Sequence, residues 1–367
     1  MKMSVLKEKI LNAIVVTERI IGKKESLPIL SCVLIDVGKE LLIRATNLEA
    51  GIEVRIPCEI TEAGNVAVPA SVLSQTLRSI GGEKVTLKTE GGNLVVESRG
   101  TRTLIKSIPH DEFPVLPGGA ENGDDLVVQK ESLVQGLTTV SYAASPSMIR
   151  PELGSVYISI TGNEILFVAT DSFRLAEKKI VRAEKGKKGS EILIPLKHAL
   201  EITHVLEHSN VDTISLSIDE SQLTVSADGM RYVSRVIDGT FPNYTEIIPK
   251  SFAAEATVLK NDFSETLKKA RVFSGGDQHV GLHVYPKRKI FTATAQSADV
   301  GEMSDSVDAA VSGEDIDINF HIGYLADCLS SIGSDSVTLS FAGAGKPLVI
   351  RGVSDPTFTY LVMPLNK

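Results

Sequence analysis

The sequence predicts an α+β protein built as three copies of one domain, and three observations carry that prediction. Val66, Ala67, Val68 and Pro69, followed by Leu73, Leu77 and Ile80, recur as Ile192, Leu193, Ile194 and Pro195, followed by Ala199, Thr203 and Leu206. They recur again as Ile318, Asn319, Phe320 and His321, followed by Leu325, Leu329 and Ile332, 126 residues apart each time. Second, Ala45, Thr46 and Asn47, Ala169, Thr170 and Asp171, and Ala293, Thr294 and Ala295 each close an apolar run, 124 residues apart. Third, Val5, Lys7, Ile10 and Ile14 match Val128, Lys130, Leu133 and Leu137, and again Val258, Lys260, Phe263 and Leu267. A repeat of this length buries its own core and is a domain, not a solenoid unit.

The elements follow in order. Met3 to Val5 alternates as a strand and leads into a helix striped by Ile10, Leu11, Ile14 and Val15. Strands are expected at 32–37, 41–45 and 52–56, broken by Gly38 and Gly51. The repeated signature then adds a strand and a helix, over 72–82, 198–208 and 324–334 in the three copies. Strands at 85–89 and 94–98 are joined by Glu90, Gly91, Gly92 and Asn93, a hairpin signal. Two helices separated by blocks of strands point to α+β and away from a doubly wound parallel sheet. The first two copies close on Phe113-Pro114 and Phe241-Pro242; the third ends on Tyr360 to Pro364. The domains are therefore expected at 1–124, 125–252 and 253–367.

At 367 residues and 43% hydrophobic, the chain has material for three globular domains. No apolar run approaches a membrane span, and no membrane partner is expected. Cys32, Cys58 and Cys328 share no repeat position and no metal-type spacing, so free thiols in a reducing cytoplasm are expected. Catalytic signals are thin. His204, Glu207 and His208 match an inverted zinc-protease pattern, but they sit on a repeated scaffold helix where the other copies carry Arg78, Gly82, Ser330 and Ser334. A solvated or pore-facing histidine pair is the simpler reading. Gly343 to Lys346 mimics the end of a phosphate loop, yet Pro347 stands where a Mg²⁺-ligating hydroxyl is required. No catalytic residue, metal or cofactor is expected.

Leu27 to Leu30, Ala169 to Leu175, Asp238 to Tyr244 and Val362 to Pro364 together resemble the bacterial DNA sliding clamps, the β subunits of DNA polymerase III. The resemblance spans the chain in order. It implies a non-enzymatic, head-to-tail homodimeric ring of six like domains, helices inside and sheets outside. Such a ring encircles duplex DNA and tethers the replicative polymerase, with a clamp loader and other motif-bearing repair or replication proteins as further partners.

The same resemblance carries over three sets of residues. A peptide pocket between the second and third domains would be walled by Leu153, Thr170, Ser172, Arg174, Leu175, Pro242, Ile247, Tyr324, Pro347, Val362, Met363 and Pro364, with ordinary core packing the competing reading for its aliphatic members. Ser172, Phe173, Glu246 and Asn366 depart from the usual pattern and imply an altered polar rim. The ring seam would use Arg102 and Ile105 against Val272, Phe273 and Glu302, with Asp305 also near Arg102; Val272 and Phe273 fit a core equally well.

DNA contacts would come from Lys24, Arg78, Arg150 and Lys197. The net charge of −8 is unlike that of most DNA binders, but a ring held by topology has no need of strong phosphate contacts. Residues 1–25 nevertheless hold Lys2, Lys7, Lys9, Arg19, Lys23 and Lys24 against three glutamates. Lys130, Lys268, Lys269 and Arg271 add cations on helices that open the later copies, and Lys185 to Lys188 reads as a loop tip.

Overall fold

A computed structural model describes residues 1–21, 27–111, 113–116, 126–182, 189–219 and 221–365. The first repeat runs β1 (Lys2–Leu6), α1 (Lys7–Glu18), β2 (Cys32–Val37), β3 (Leu41–Thr46), β4 (Ala50–Ile56), β5 (Glu59–Glu62), β6 (Gly64–Pro69), α2 (Ala70–Ser79), β7 (Lys84–Glu90), β8 (Asn93–Ser98) and β9 (Thr101–Ile105). The second runs β10 (Leu126–Gln129), α3 (Lys130–Ser141), β11 (Ser155–Thr161), β12 (Glu164–Thr170), β13 (Arg174–Val181), β14 (Ser190–Pro195), α4 (Leu196–Glu207), β15 (Thr213–Ile218), β16 (Gln222–Ala227) and β17 (Met230–Arg235). The third runs β18 (Ala254–Leu259), α5 (Lys260–Phe273), β19 (His279–Tyr285), β20 (Ile290–Ser297), β21 (Gly301–Ser306), β22 (Ala309–Gly313), β23 (Ile316–His321), α6 (Ile322–Leu329), β24 (Ser336–Phe341), β25 (Leu348–Gly352) and β26 (Asp355–Val362). The second helix of each repeat begins two residues earlier than the sequence predicts, directly after Pro69, Pro195 and His321.

A threefold device fixes these elements. None of α1, α3 and α5 opens on a Ser, Thr, Asp or Asn cap; each begins at a lysine. The Lys7, Lys130 and Lys260 amides donate to the carbonyls of Glu83, Asp212 and Asp335, 2.8 Å in every case, so a first-turn donor is satisfied by the residue just before β7, β15 or β24. The same lysines send Nζ to the carbonyls of Ile80 (2.9 Å), Ser209 (2.9 Å) and Ile332 (2.7 Å), just beyond the ends of α2, α4 and α6. A cation is favourable at a helix C-terminus. Lys7 and Lys130, counted above among cations free to face DNA, are thus structural.

Packing divides the chain into two compact units, Met1–Val134 with Lys197–Val236, and Gln135–Leu196 with Ile237–Lys367. In the first unit α1 and α2 bury Ile10, Ile14, Leu73 and Leu77. It holds a five-stranded sheet, β5-β1-β7-β8-β9, and an eight-stranded sheet, β10-β15-β16-β17-β4-β3-β2-β6. The second unit buries Phe263, Phe291, Phe320 and Phe341. Its sheets are β14-β11-β12-β13-β26-β25-β24-β18-β22 and β21-β20-β19-β23. The second repeat thereby contributes four strands to each unit.

Each large sheet contains a seam between repeats, and the two seams are alike. β17 pairs antiparallel with β4, Val233 opposite Gly51. β26 pairs antiparallel with β13, Leu361 opposite Leu175. Strand ladders place these residues at equivalent positions. Cys32, Ser155 and His279 face Pro69, Pro195 and His321, and two residues onward Leu34, Tyr157 and Gly281 face Arg44, Val168 and Thr294. Thr294 therefore occupies the place of Arg44 and Val168, not that of Thr46 and Thr170: the Ala293–Ala295 match is displaced by two residues. Gln296 takes the place of Thr46, and its partner Glu302 takes the place of Gly51 and Leu175.

The first seam is lined by a buried polar cluster. Tyr232 Oη donates to Glu201 Oε2 at 2.9 Å, and His198 Nδ1 meets Ser234 Oγ at 2.9 Å. Glu201 is 3% exposed, its Oε1 has no hydrogen bond, and Lys197 Nζ stands 3.9 Å away. Burial pushes the Glu201 carboxyl up to about 7, against the pull of Tyr232 and Lys197, while burial pushes His198 down. A raised carboxyl means that the folded chain holds a proton the unfolded chain has released. Its contribution is full below about pH 4.5 and is lost as pH rises through 7. Glu201→Gln is expected to remove a pH-dependent loss on the order of 3 kcal/mol from urea unfolding curves recorded between pH 5 and 8. Identical pH dependence in the two proteins would show that Glu201 does not titrate there.

Candidate functional site

The second unit brings most of the expected pocket residues together around one turn. Between β12 and β13, Thr170 Oγ1 donates to the Arg174 carbonyl (2.6 Å), and Asp171 Oδ1 accepts from the amides of Phe173 and Arg174, 2.9 Å each. Ser172 takes a left-handed φ of +78° at the apex. The chain beyond β26 is laid against this turn: Met363 N donates to Phe173 O and Leu365 N to Asn319 O, both at 2.8 Å. Tyr324 rises from the first turn of α6.

Arg174 is held on four sides. Nε donates to Asp171 Oδ2 (2.9 Å) and Nη1 to Asp327 Oδ2 (2.6 Å), and the guanidinium lies 4.4 Å from the Tyr324 ring centre and 5.8 Å from that of Tyr142. Such stacking suits a planar cation. The His321 ring lies against Tyr324 in a tilted contact with centres 4.4 Å apart, and burial together with the nearby Arg174 charge pushes the His321 pKa down. Tyr142, Asp171, His321 and Asp327 were not predicted as site residues. Asp171 had a signal: Asn47 at the matching position of the first repeat also accepts two backbone amides through Oδ1.

Ser172, Phe173 and Ile247 are exposed, while Arg174, Pro242, Tyr324, Pro347, Met363 and Pro364 are half-buried. Of these, Tyr324 lies against the Arg174 guanidinium and Met363 bonds to the Phe173 carbonyl. Leu153, Thr170, Leu175 and Val362 are buried. Leu175 (1% exposed) joins Val168, Tyr244, Val349 and Leu361 in one apolar cluster, and Met363 packs on its edge. Leu175 and Val362 both sit in the central β13·β26 pair. Tyr244 seals the cluster by donating to Glu177 Oε2 at 2.6 Å.

Of the four expected DNA-facing cations, Arg78, Arg150 and Lys197 are exposed, and Lys24 lies outside the described residues, as do Lys185–Lys188 and Asn366. Arg150 pairs with Glu152 at 3.0 Å. Lys268 pairs with Glu265 at 2.8 Å. The His204 and His208 rings stand 4.2 Å apart, and among the described residues no group of three His, Cys, Asp or Glu is placed to hold a metal.

The expected seam residues lie at the two small sheets. β9 and β21 are edge strands. Arg102 is exposed and engaged by Glu90 and Glu97. Ile105 is buried (2% exposed), whereas its neighbour Leu104 is exposed. At the end of α5, Val272 is 63% exposed and Phe273 half-buried. Glu302 is exposed; Asp305 is already taken by Thr266 Oγ1 and Lys269 Nζ, which hold its carboxyl below the usual range.

Comparison with known proteins gives a consistent result over the whole chain. Family models described as the N-terminal, central and C-terminal domains of the DNA polymerase III beta subunit match residues 1–117, 127–243 and 245–366. The beta sliding clamp of Staphylococcus epidermidis is 25% identical over 379 residues, covering 100% of this chain and 99% of that protein. The crystal structure of the DNA polymerase III beta subunit of Thermotoga maritima superposes with a TM-score of 0.95 at 27% identity, covering 100% of this chain and 99% of that one. The beta chain from Streptococcus pneumoniae gives a TM-score of 0.95 at 25% identity, with 100% of both chains covered.

The burial of Leu175 separates framework from surface in the pocket. Leu175→Ala is expected to lower unfolding stability by about 2–5 kcal/mol in urea titrations, and Ile247→Ala to change it by no more than about 0.5 kcal/mol. Equal, small effects would place Leu175 on the surface.

Proposed function

The chain belongs to the DNA polymerase III beta subunit family, and on that premise we propose that it is a sliding clamp: a homodimeric ring that encircles duplex DNA, slides along it and tethers the replicative polymerase. Its role is binding, not catalysis. The observation that carries this reading is the match of three successive clamp domains in order along the chain, for which we take boundaries of 1–124, 125–252 and 253–367.

Strand pairing supports ring closure. In each inner seam, the last strand of one repeat pairs with the third strand of the sheet half before it: β17 with β4, and β26 with β13. The strands of that kind left over are β9 in the first repeat and β21 in the third, and both are sheet edges. An exposed edge is a template for another strand. Two copies joined head to tail consume all four edges through two equivalent contacts related by a two-fold axis. Six domains then close the ring, helices inward. The negative net charge suits such a device, since topology retains the DNA while Lys24, Arg78, Arg150 and Lys197 give weak phosphate contacts that permit sliding.

The surface around Arg174 is the proposed docking groove for a short linear motif, carried by the polymerase, the clamp loader and repair proteins. Ile247, Pro242, Pro347 and Met363 offer apolar walls, and Arg174 and Tyr324 a polar, aromatic end. The tail is anchored by two backbone hydrogen bonds beyond a complete β26, so removing it spares the sheet.

Three outcomes test this. The protein, loaded on nicked circular DNA, is expected to stay bound and to be lost on linearisation; equal retention on both forms would mean that binding is not topological. Phe273→Ala is expected to shift the sedimenting species from dimer to monomer with little change in melting temperature, because truncating an aromatic at each of two seams removes several kcal/mol of association free energy. Deletion of Met363–Lys367 is expected to abolish polymerase binding while the dimer and its melting curve persist; polymerase binding at the intact protein's affinity would exclude the groove.

A further inference from the structure

The small sheet of the third repeat carries a side-chain relay that neither the ring nor the groove requires. His283 stands in β19, flanked by Thr294 in β20 and Asp317 in β23. Its Nδ1 meets Asp317 Oδ1 at 2.6 Å, and its Nε2 meets Thr294 Oγ1 at 2.7 Å. A carboxylate only accepts, so Nδ1 carries the ring proton, and in the neutral ring Nε2 accepts from the Thr294 hydroxyl. Tyr285 Oη donates to the same Asp317 oxygen at 2.7 Å and helps to fix the carboxylate. Hydroxyl, imidazole and carboxylate thus stand in the order of a nucleophile, its base and the group that orients the base.

A glycine makes room for the relay. Gly281 lies between Thr294 and Asn319 in the ladder. A Cβ there would stand 2.7 Å from Thr294 Oγ1 and 3.0 Å from both His283 Nε2 and Asn319 Oδ1, so a side chain would push the relay apart. The scaffold itself has no need of these groups. In the first repeat the places of His283, Thr294 and Asp317 hold Asp36, Arg44 and Asn65, with Arg44 Nη1 bonded to Asp36 Oδ2 at 2.9 Å. In the second they hold Ser159, Val168 and Glu191. Thr294 and His283 are half-buried and Asp317 is exposed, which leaves the hydroxyl within reach of a small reagent.

We propose that Thr294 is an acyl-acceptor site, whose hydroxyl takes the acyl group of small donors with a good leaving group, such as aryl esters. Thr294 Oγ1 attacks the carbonyl carbon while its proton passes to His283 Nε2. A new ester bond forms at Oγ1, the bond to the leaving aryl oxygen breaks, and the aryl oxide departs with the bonding pair. His283 then releases the proton to solvent. Asp317 acts through His283, as a positioning residue. β19 is paired on both sides, so its amides are spent on the ladders and form no oxyanion hole. Such a hole is worth about 10²–10³ in rate. Without it, poorly activated donors react too slowly to matter, and the alkyl ester left on Thr294 hydrolyses slowly. The product is a stoichiometric modification and not turnover, in keeping with a protein whose role is binding.

Acetylation of the full chain by p-nitrophenyl acetate, followed by peptide mass spectrometry, tests the site. Thr294 is expected to be labelled about a hundredfold faster than the other half-buried threonines, the usual contribution of a positioned general base. His283→Gln removes the base, and Gly281→Ala keeps all three groups but separates them; each is expected to abolish that advantage, with thermal melts showing that the variant is folded. Asp317→Asn is expected to slow labelling of Thr294 without moving it to another residue. Labelling of Thr294 no faster than of other threonines, or equally fast in folded His283→Gln, overturns the proposal.

Discussion

A β-strand edge presents a row of backbone donors and acceptors open to pairing with another strand, and the two seams between repeats are built on that property. Each repeat by itself would have two half-sheets and four edge strands. Inside the chain four of these are used: β17 closes on β4 and β26 closes on β13, each giving a continuous sheet of eight or nine strands. The backbone accounting is local and residue-independent, so the seams share one geometry although their side chains differ. Tyr232 stands opposite Ile52 in one and Tyr360 opposite Ala176 in the other.

Side chains decide what each seam becomes. At the first, His198 and Glu201 on α4 meet Ser234 and Tyr232 of β17. At the second, the equivalent helix carries Tyr324 and Asp327, which hold Arg174 at the surface. Identical backbone bonds accompany both: Arg235 N to Glu49 O (2.9 Å) in the first, Met363 N to Phe173 O (2.8 Å) in the second. One scaffold thus yields a buried polar cluster in one unit and a partly exposed ion-pair and aromatic cluster in the other, because a guanidinium with two aromatic faces stands where the first repeat has Ala50.

Legibility in the sequence followed periodicity. The strand-helix signature, the opening helices and the Glu90–Asn93 hairpin were all readable, since alternation and helical spacing report burial on one face. Periodicity was silent on strands with mixed faces, and β5 (Glu59–Glu62) was missed. Lys7 and Lys130 looked like surface cations because their role, shared by Lys260, depends on carbonyls more than seventy residues away. Leu175, Val362 and Ile105 are each buried within a sheet, a degree of burial that their apolar character alone does not specify. The side chains around Arg174, chiefly Asp327 and Tyr142, come from separate segments and left no local pattern.

The sequence by itself determined the triplication, the α+β class and the places of the helices, because those depend on spacing along the chain. It also carried the family likeness, distributed over many short segments. The tertiary structure decided the pairings between repeats, the two-residue displacement of the Ala293–Ala295 match, and which apolar residues face a core. Those are contacts between segments distant in sequence. Their register is set by hydrogen-bond ladders that any residue but proline can form, so the amino-acid identities do not announce it.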